Sequence, residues 1–237
     1  MAGDTGDTAH RLAEMARVLL GKRTVQETLD TIVGWAVQTI DGCEHAGILT
    51  VARGGEVTSA AATDELVRRS DATQDELREG PCYDALREGA TFEIPDMTRE
   101  TRWPRYAPRA VALGIGSGLG FQLSTGEGSL GALDLYSGRP HAFGERSREV
   151  GTVFAAQAAV ALAWSRTEAQ LREAIAGRQV IGEAIGILME RRRLTSTQAF
   201  DVLTRASQRF NVKLRQIAER VVQTGEEPTQ WRPDARR

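Results

Sequence analysis

"IGEAIGILMERRRLTSTQAFDVL", residues 181–203, holds three consecutive arginines between two apolar helical patterns. Before it, helical spacing runs for nearly fifty residues from Phe143. After it, Thr195 followed three residues later by Gln198 has the pattern of a capping box, which starts a new helix. Phe200, Leu203, Ser207 and Phe210 mark one face of that helix. "NVK" (211–213) breaks it, and Leu214, Ile217, Ala218, Val221 and Val222 then repeat the spacing. No helix of this length is stable alone in water. Three amphipathic pieces joined by short turns therefore bury their stripes against one another, with the arginines at the first corner.

The long helix has a second pattern. Alternating steps of three and four pick out Val153, Gln157, Val160, Trp164, Thr167, Leu171, Ala174, Arg178, Ile181, Ile185 and Leu188. Gln157, Thr167 and Arg178 interrupt an otherwise apolar series, which predicts a coiled-coil seam and a parallel homodimer. The first half of the helix is also expected to pack on the domain before it, and the second half on the helices after it. Gly182 and Gly186 lower helix propensity by about 1 kcal/mol each and admit close approach of a neighbouring helix.

Upstream, Ala9–Leu20 and Thr24–Ile40 have helical spacing, and 46–51 and 56–62 read as strands joined by "RGGE" (53–56). An acidic helical stretch follows, broken at Gly80–Pro81. A short helix, Cys82–Glu88, is stopped by Gly89. "TFEIPDM" is a strand closed by Pro95, "RWPRYAPRAVALG" contains a short helix, and 116–123 and 129–136 are strands around "STGEGS". This order predicts an antiparallel α+β sheet. "GIGSGLG" leads into a strand, a poor fit to a dinucleotide loop.

With 237 residues, the chain has room for an ordinary domain and a small one. "GTVFAAQAAVALAW" (151–164) is too short and too alanine-rich to span a bilayer, and the N-terminal residues lack a secretion-signal pattern. A cytoplasmic location is expected. Cys43 and Cys82 lack metal-type spacing, so free thiols and no metal site are expected. His10, His45 and His141 stand in unrelated contexts, with no GxSxG, HExxH or Walker loop. Neither an enzyme nor a cofactor is expected.

Charge separates the two parts. Residues 167–237 carry 13 Lys+Arg against 9 Asp+Glu, a net of +4, whereas 1–166 carry 17 against 23, a net of −6. The basic part is suited to a polyanion. Arginine donates bidentate hydrogen bonds to phosphate and stays charged, which makes Arg178, Arg191, Arg192, Arg193, Arg205, Arg209, Lys213 and Arg215 candidate contacts. Gln208, Asn211 and Gln216 are candidates for the edges of unpaired bases.

"IGEAIGILMERRRLTSTQAFDVL" and "RASQRFNVKLRQIA" (205–218), at this spacing, resemble the ANTAR domain of transcription antiterminators. The resemblance covers about fifty residues and implies a three-helix bundle that binds hairpins in nascent mRNA, usually as a dimer. Where that family often places a lysine before the glycine of "GILM", this chain has Ile185. Upstream, "AGILTV", "TDELV", "EGPCYDALREG", "RWPRYAPRAVALGIGSGLGFQL", "GALDLYS" and "FAAQAAVAL" are similar, in order, to a GAF domain of the kind found ahead of ANTAR in actinobacterial regulators. This implies a central antiparallel sheet with helices on one side and a pocket-forming loop region on the other. Cys82, Tyr83, Trp103 and Tyr106 are the pocket candidates for an unidentified small molecule.

The domain boundaries expected are an N-terminal helix over 1–22, a GAF domain over 23–165, an ANTAR domain with helical linker over 166–224 and a flexible tail over 225–237. The function expected is an RNA-binding antitermination regulator acting as a homodimer. The alternatives are a DNA-binding helix-turn-helix regulator, reading a groove through Arg215, Gln216, Glu219 and Arg220, and a small-molecule-binding protein whose C-terminal bundle serves oligomerisation.

Overall fold

In the computed structural model, residues 2–51, 57–88, 91–126, 128–228 and 231 are described. The expected turn at 53–56, the stop at Gly89, Glu127 of "STGEGS" and most of the expected tail lie outside these residues. The chain divides into two compact units, Met1–Thr167 and Glu168–Arg237.

The first unit opens with two helices, α1 (Ala2–Leu20) and α2 (Val25–Thr39). Thr24 caps α2, its Oγ1 accepting the Glu27 N–H at 3.1 Å. Leu12, Met15 and Leu19 of α1 join Leu29, Ile32, Val33 and Ala36 of α2 in one core. These are the i, i+3, i+4 positions of each helix, and burying them is what makes both stable.

Five strands form one antiparallel sheet: β1 (His45–Val51), β2 (Val57–Ala62), β3 (Phe92–Ile94), β4 (Ser117–Thr125) and β5 (Gly128–Ser137), in the order β2-β1-β5-β4-β3. Period-two alternation splits the central strands between two cores. Leu133 and Leu135 of β5, Leu119, Phe121 and Leu123 of β4, and Ile48 of β1 face the core of α1 and α2. Ala132 and Tyr136 face the opposite core. That face is covered by three short helices, α3 (Glu65–Leu77), α4 (Pro81–Glu88) and α5 (Tyr106–Ala112). Glu79 ties α3 to α5, accepting the Arg105 and Tyr106 N–H groups at 2.7 and 3.0 Å.

The helix α6 (Glu145–Arg192) runs for 48 residues. Phe154, Ala155, Ala158, Ala159 and Leu162 are buried in the sheet unit's first core. Gly151 permits this packing, because a Cβ there would collide with the Phe121 ring. Farther along, Ala184 and Leu188 are buried in the helical unit with Ala199, Leu203 and Ala206 of α7 (Ser196–Phe210) and Ile217, Ala218 and Val221 of α8 (Leu214–Thr224). Both halves of the capping box are present: Gln198 N–H to Thr195 Oγ1 at 3.3 Å, and Thr195 N–H to Gln198 Oε1 at 2.9 Å.

Four expectations are corrected. The face of α7 expected from Phe200, Leu203, Ser207 and Phe210 is centred instead on Ala199, Leu203 and Ala206, and Phe200 is exposed. Leu188 belongs to the bundle core, with Ile181 and Ile185 packed against it, so these residues leave the expected seam. No element of this chain approaches Gly182 or Gly186 closely, since a Cβ at either would meet nothing within 4 Å, so the close neighbour these glycines would admit does not come from within the chain. Trp231, placed by expectation in a free tail, is buried against the bundle, with Arg220 stacked 4.3 Å from its ring centroid and Phe210 at 6.1 Å.

Candidate functional site

The helical unit carries cations both along its helices and where they end. Arg178 projects from α6, and Arg191 and Arg192 end that helix. Arg193 follows in the left-handed region, φ 51. Arg205 and Arg209 lie one turn apart on α7, Asn211 is its left-handed C-cap, and Lys213 precedes α8. Arg178, Arg193, Arg205, Gln208, Arg209, Asn211, Lys213 and Gln216 are all exposed.

Three other expected contacts are engaged within the chain. Arg191 Nη1 donates to the Gly225 carbonyl, and Arg192 pairs with Glu227. Arg215 meets Glu219 at 2.8 Å and Glu173 at 3.5 Å. The arginine run therefore divides: Arg191 and Arg192 hold the segment after α8, and Arg193 faces solvent. Sequence reasoning missed Phe200, a large aromatic with 42% exposure on the same helix as Arg205 and Arg209. Its signal was the small Ala199, Leu203, Ala206 series one residue to the side, which already completes a helical stripe.

In the sheet unit, the four expected pocket residues do not converge. Cys82 and Tyr106 are buried on the α3–α4–α5 side of the sheet. The Tyr106 hydroxyl is 2.8 Å from Ser70 Oγ, Ser70 Oγ is 3.4 Å from the Tyr136 hydroxyl, and the latter is 3.7 Å from Cys82 Sγ. Trp103 instead donates from Nε1 to Asp84 Oδ2 at 2.7 Å and stacks edge-on against Phe92. Tyr83 donates to Asp75 Oδ1 at 2.7 Å and receives Arg78, among exposed groups.

Three buried groups that sequence reasoning left out complete the cluster. Gln74 of α3 accepts the Cys82 N–H at Oε1, 3.0 Å, and donates from Nε2 to Cys82 Sγ at 2.8 Å. Asp71 of α3 accepts from Ser59 Oγ at 2.6 Å. Asp134 of β5 is 1% exposed, and its carboxylate has no hydrogen-bond partner beyond the Cys82 thiol. Burial pushes both carboxyls well above the ordinary carboxylate range, and the Asp71 charge adds to the effect on Asp134. Burial, then the charges of Asp134 and Asp71, pushes the Cys82 thiol up as well. Cys43, also buried, is pushed up to about 12. Neither thiol is poised as a free nucleophile at neutral pH.

A third feature is apolar. Ala16, Leu19 and Leu20 of α1 with Val153, Val160 and Trp164 of α6 line an open groove of about 520 Å³. Val160 and Trp164 are 64% and 63% exposed. Seven exposed apolar and glycine positions of α6 recur at eleven residues: Val153, Trp164, Ile175 and Gly186, and beside them Val160, Leu171 and Gly182. An eleven-residue repeat gives 3.67 residues per turn, so these positions keep to one face of an α-helix. These exposed positions depart by one residue, from Ile175 onward, from those expected from steps of three and four.

Comparisons with known proteins follow the same division. A family model described as a GAF domain matches residues 22–163, and one described as an ANTAR domain matches 169–222. No curated protein matches the chain. Among solved structures, the GAF domain of a phosphoenolpyruvate-protein phosphotransferase from Coxiella burnetii is 15% identical with a TM-score of 0.54, over 69% of this chain and 96% of that one. Free methionine-R-sulfoxide reductase from Neisseria meningitidis, in complex with its substrate, is 16% identical with a TM-score of 0.53, over 68% and 90%. The photosensory core module of a Stigmatella aurantiaca phytochrome is 11% identical with a TM-score of 0.61, over 87% of this chain and 45% of that one. At these identities the likeness is one of fold.

Proposed function

We propose that this chain, which belongs to the GAF family through residues 22–163 and carries an ANTAR domain over 169–222, is a regulator that binds hairpins in nascent mRNA as a homodimer. The ANTAR unit supplies the RNA surface, and the GAF unit senses a small ligand or holds the dimer together.

One observation carries the reading. On the unit matched as ANTAR, Arg178, Arg193, Arg205 and Lys213 are exposed with no acidic partner among the described residues, and the exposed Phe200 shares α7 with Arg205 and Arg209. Guanidinium groups grip phosphate, and an aromatic face stacks an unpaired base, which is the combination a hairpin loop needs. Gln208 and Gln216 are assigned to base edges. Asn211 caps α7, with its N–H on the Gln208 and Ser207 carbonyls, and retains an exposed amide. Arg191, Arg192 and Arg215 are assigned to holding the bundle. A major-groove reading is disfavoured because it needs Arg215, which Glu219 and Glu173 already engage.

Dimerisation is supported by the groove at Val153, Val160 and Trp164. Exposed large apolar side chains gathered on one helix face mark an interaction surface. Two linked RNA surfaces bind a two-hairpin RNA with avidity that neither has alone. By preventing a terminator from forming, a captured hairpin pair permits transcription to continue.

The test is a titration of labelled two-hairpin RNA and matched duplex DNA at several salt concentrations. The reading expects strong preference for the hairpins. Equal affinity for duplex DNA, or no binding, removes it.

A further inference from the structure

Asp71, Cys82 and Asp134 come from three separate elements, α3, α4 and β5, yet the donor atoms they offer lie within 4.8 Å of one another. All three residues are buried. Asp71 Oδ1 has no hydrogen-bond partner, and the Asp134 oxygens have none beyond the Cys82 thiol. A folded core leaves few polar atoms unanswered, because a buried acceptor without a donor carries its full desolvation cost. Here one oxygen from each of two such carboxylates lies close to the other and to a sulfur.

The neighbouring strands and side chains fix the positions of Asp134 and Cys82. In the sheet register Asp134 is flanked by Gly47 on β1 and Gly120 on β4, so it is the only residue of its row across these strands with a side chain beyond hydrogen. Val67 covers Gly47, and a Cβ at Gly120 would stand 3.4 Å from Asp134 Oδ1. The Gln74 amide is oriented by its bond from the Cys82 N–H, which turns its NH₂ group onto Cys82 Sγ at 2.8 Å. The Tyr136 hydroxyl is 3.7 Å from the same sulfur. Groups that donate to a ligating atom orient it and tune the ion it holds.

We propose that Asp71, Cys82 and Asp134 bind a divalent transition-metal ion of the zinc and ferrous class inside the GAF unit. One sulfur and two carboxylate oxygens suit such an ion better than magnesium or calcium, which take oxygen ligands alone. A cation at this point offsets the buried carboxylates and deprotonates a coordinating thiol. Three protein donors leave a fourth position open to an exogenous ligand. The ion would thus be the means by which this unit holds a small molecule. The proposal deepens the sensory half of the reading above and rests on it. It does not depend on RNA binding.

The experiment strips the full chain with a chelator and titrates Zn²⁺ against a chromophoric chelator, and Co²⁺ by absorbance. One ion per chain is expected, with a thiolate-to-cobalt charge-transfer band. Cys82→Ser should abolish the band and Cys43→Ser should leave it intact. Asp134→Asn should weaken Zn²⁺ binding at least about tenfold, since even losing a group that only supports a ligand costs that much. Melts of the stripped variants report their folding, and the stripped wild type should gain in melting temperature with Zn²⁺. If Asp134→Asn does not fold, the Cys43→Ser protein decides alone: no band and no stoichiometric Zn²⁺ overturns the site. A band that survives Cys82→Ser, or undiminished affinity in a folded Asp134→Asn, overturns it equally. Two-hairpin RNA titrated into the same samples separates the claims. RNA binding without metal uptake sinks the metal site alone, and metal uptake without RNA binding sinks the regulator reading alone.

Discussion

Arg193 occupies a left-handed backbone position, φ 51, where glycine is favoured. An arginine kept there costs about 1 kcal/mol relative to glycine. Arg193→Gly is therefore expected to raise the stability of the helical unit by about 1 kcal/mol and to weaken hairpin RNA, read by denaturant melts and RNA titration side by side. Phe200→Ala should leave the melt unchanged, because the side chain is already exposed, and should reduce hairpin affinity about tenfold, within the range of a lost base stack. Unchanged affinity would remove Phe200 from the RNA surface. In the other unit, Glu44 accepts the Gly138 N–H at 2.7 Å and Ser137 Oγ at 3.1 Å. The Gly138 bond is the main cause holding its carboxyl below the ordinary carboxylate range, against burial and with help from Ser137 and Arg139. A depressed folded value gives stability that is present above the unfolded value of about 4.3 and is lost as pH falls through the folded one. Glu44→Gln should flatten that part of the acid limb in melting temperature against pH. An acid limb identical to wild type would contradict the assignment.

Helices and strands were legible wherever a period repeats. The alternation in β4 and β5, the capping box at Thr195 and the stripe of α8 all rest on local spacing, which a single sequence displays. The Asp71, Cys82 and Asp134 cluster was not legible, because its members are brought together by sheet register and helix docking rather than by spacing. Its one local sign was an aspartate inside the apolar run "GALDLYS". Of the positions expected along α6, Val153, Val160 and Trp164 are exposed, but beyond Leu171 the bundle claims Leu188 and the exposed apolar positions move over by one residue. At this scale, the proposed homodimer expects wild type to scatter light as a dimer and Trp164→Glu with Val160→Glu as a monomer, with the fold of the sheet unit intact, since both side chains are exposed in the chain. A dimer that persists would move the interface elsewhere.

For the whole molecule, an acidic sheet-bearing unit is joined through one long helix to a basic helical unit, and the two carry different chemistry. The sheet unit has the buried donor cluster and the apolar groove, and the helical unit has the exposed cations. Each phosphate contact releases counterions, so affinity for RNA must fall as salt rises, with a slope set by the number of contacts. The most direct measurement compares that slope for wild type and for the combined Arg178→Glu, Arg205→Glu and Arg209→Glu variant, with two-hairpin RNA and a folding check by circular dichroism. A steep slope for wild type and a shallower one for the variant, shallower by about two to three in log–log units, with affinity lost at low salt, is the expected result. A folded variant that binds the hairpins as tightly as wild type, with the same slope, would contradict the claim that this basic face grips RNA.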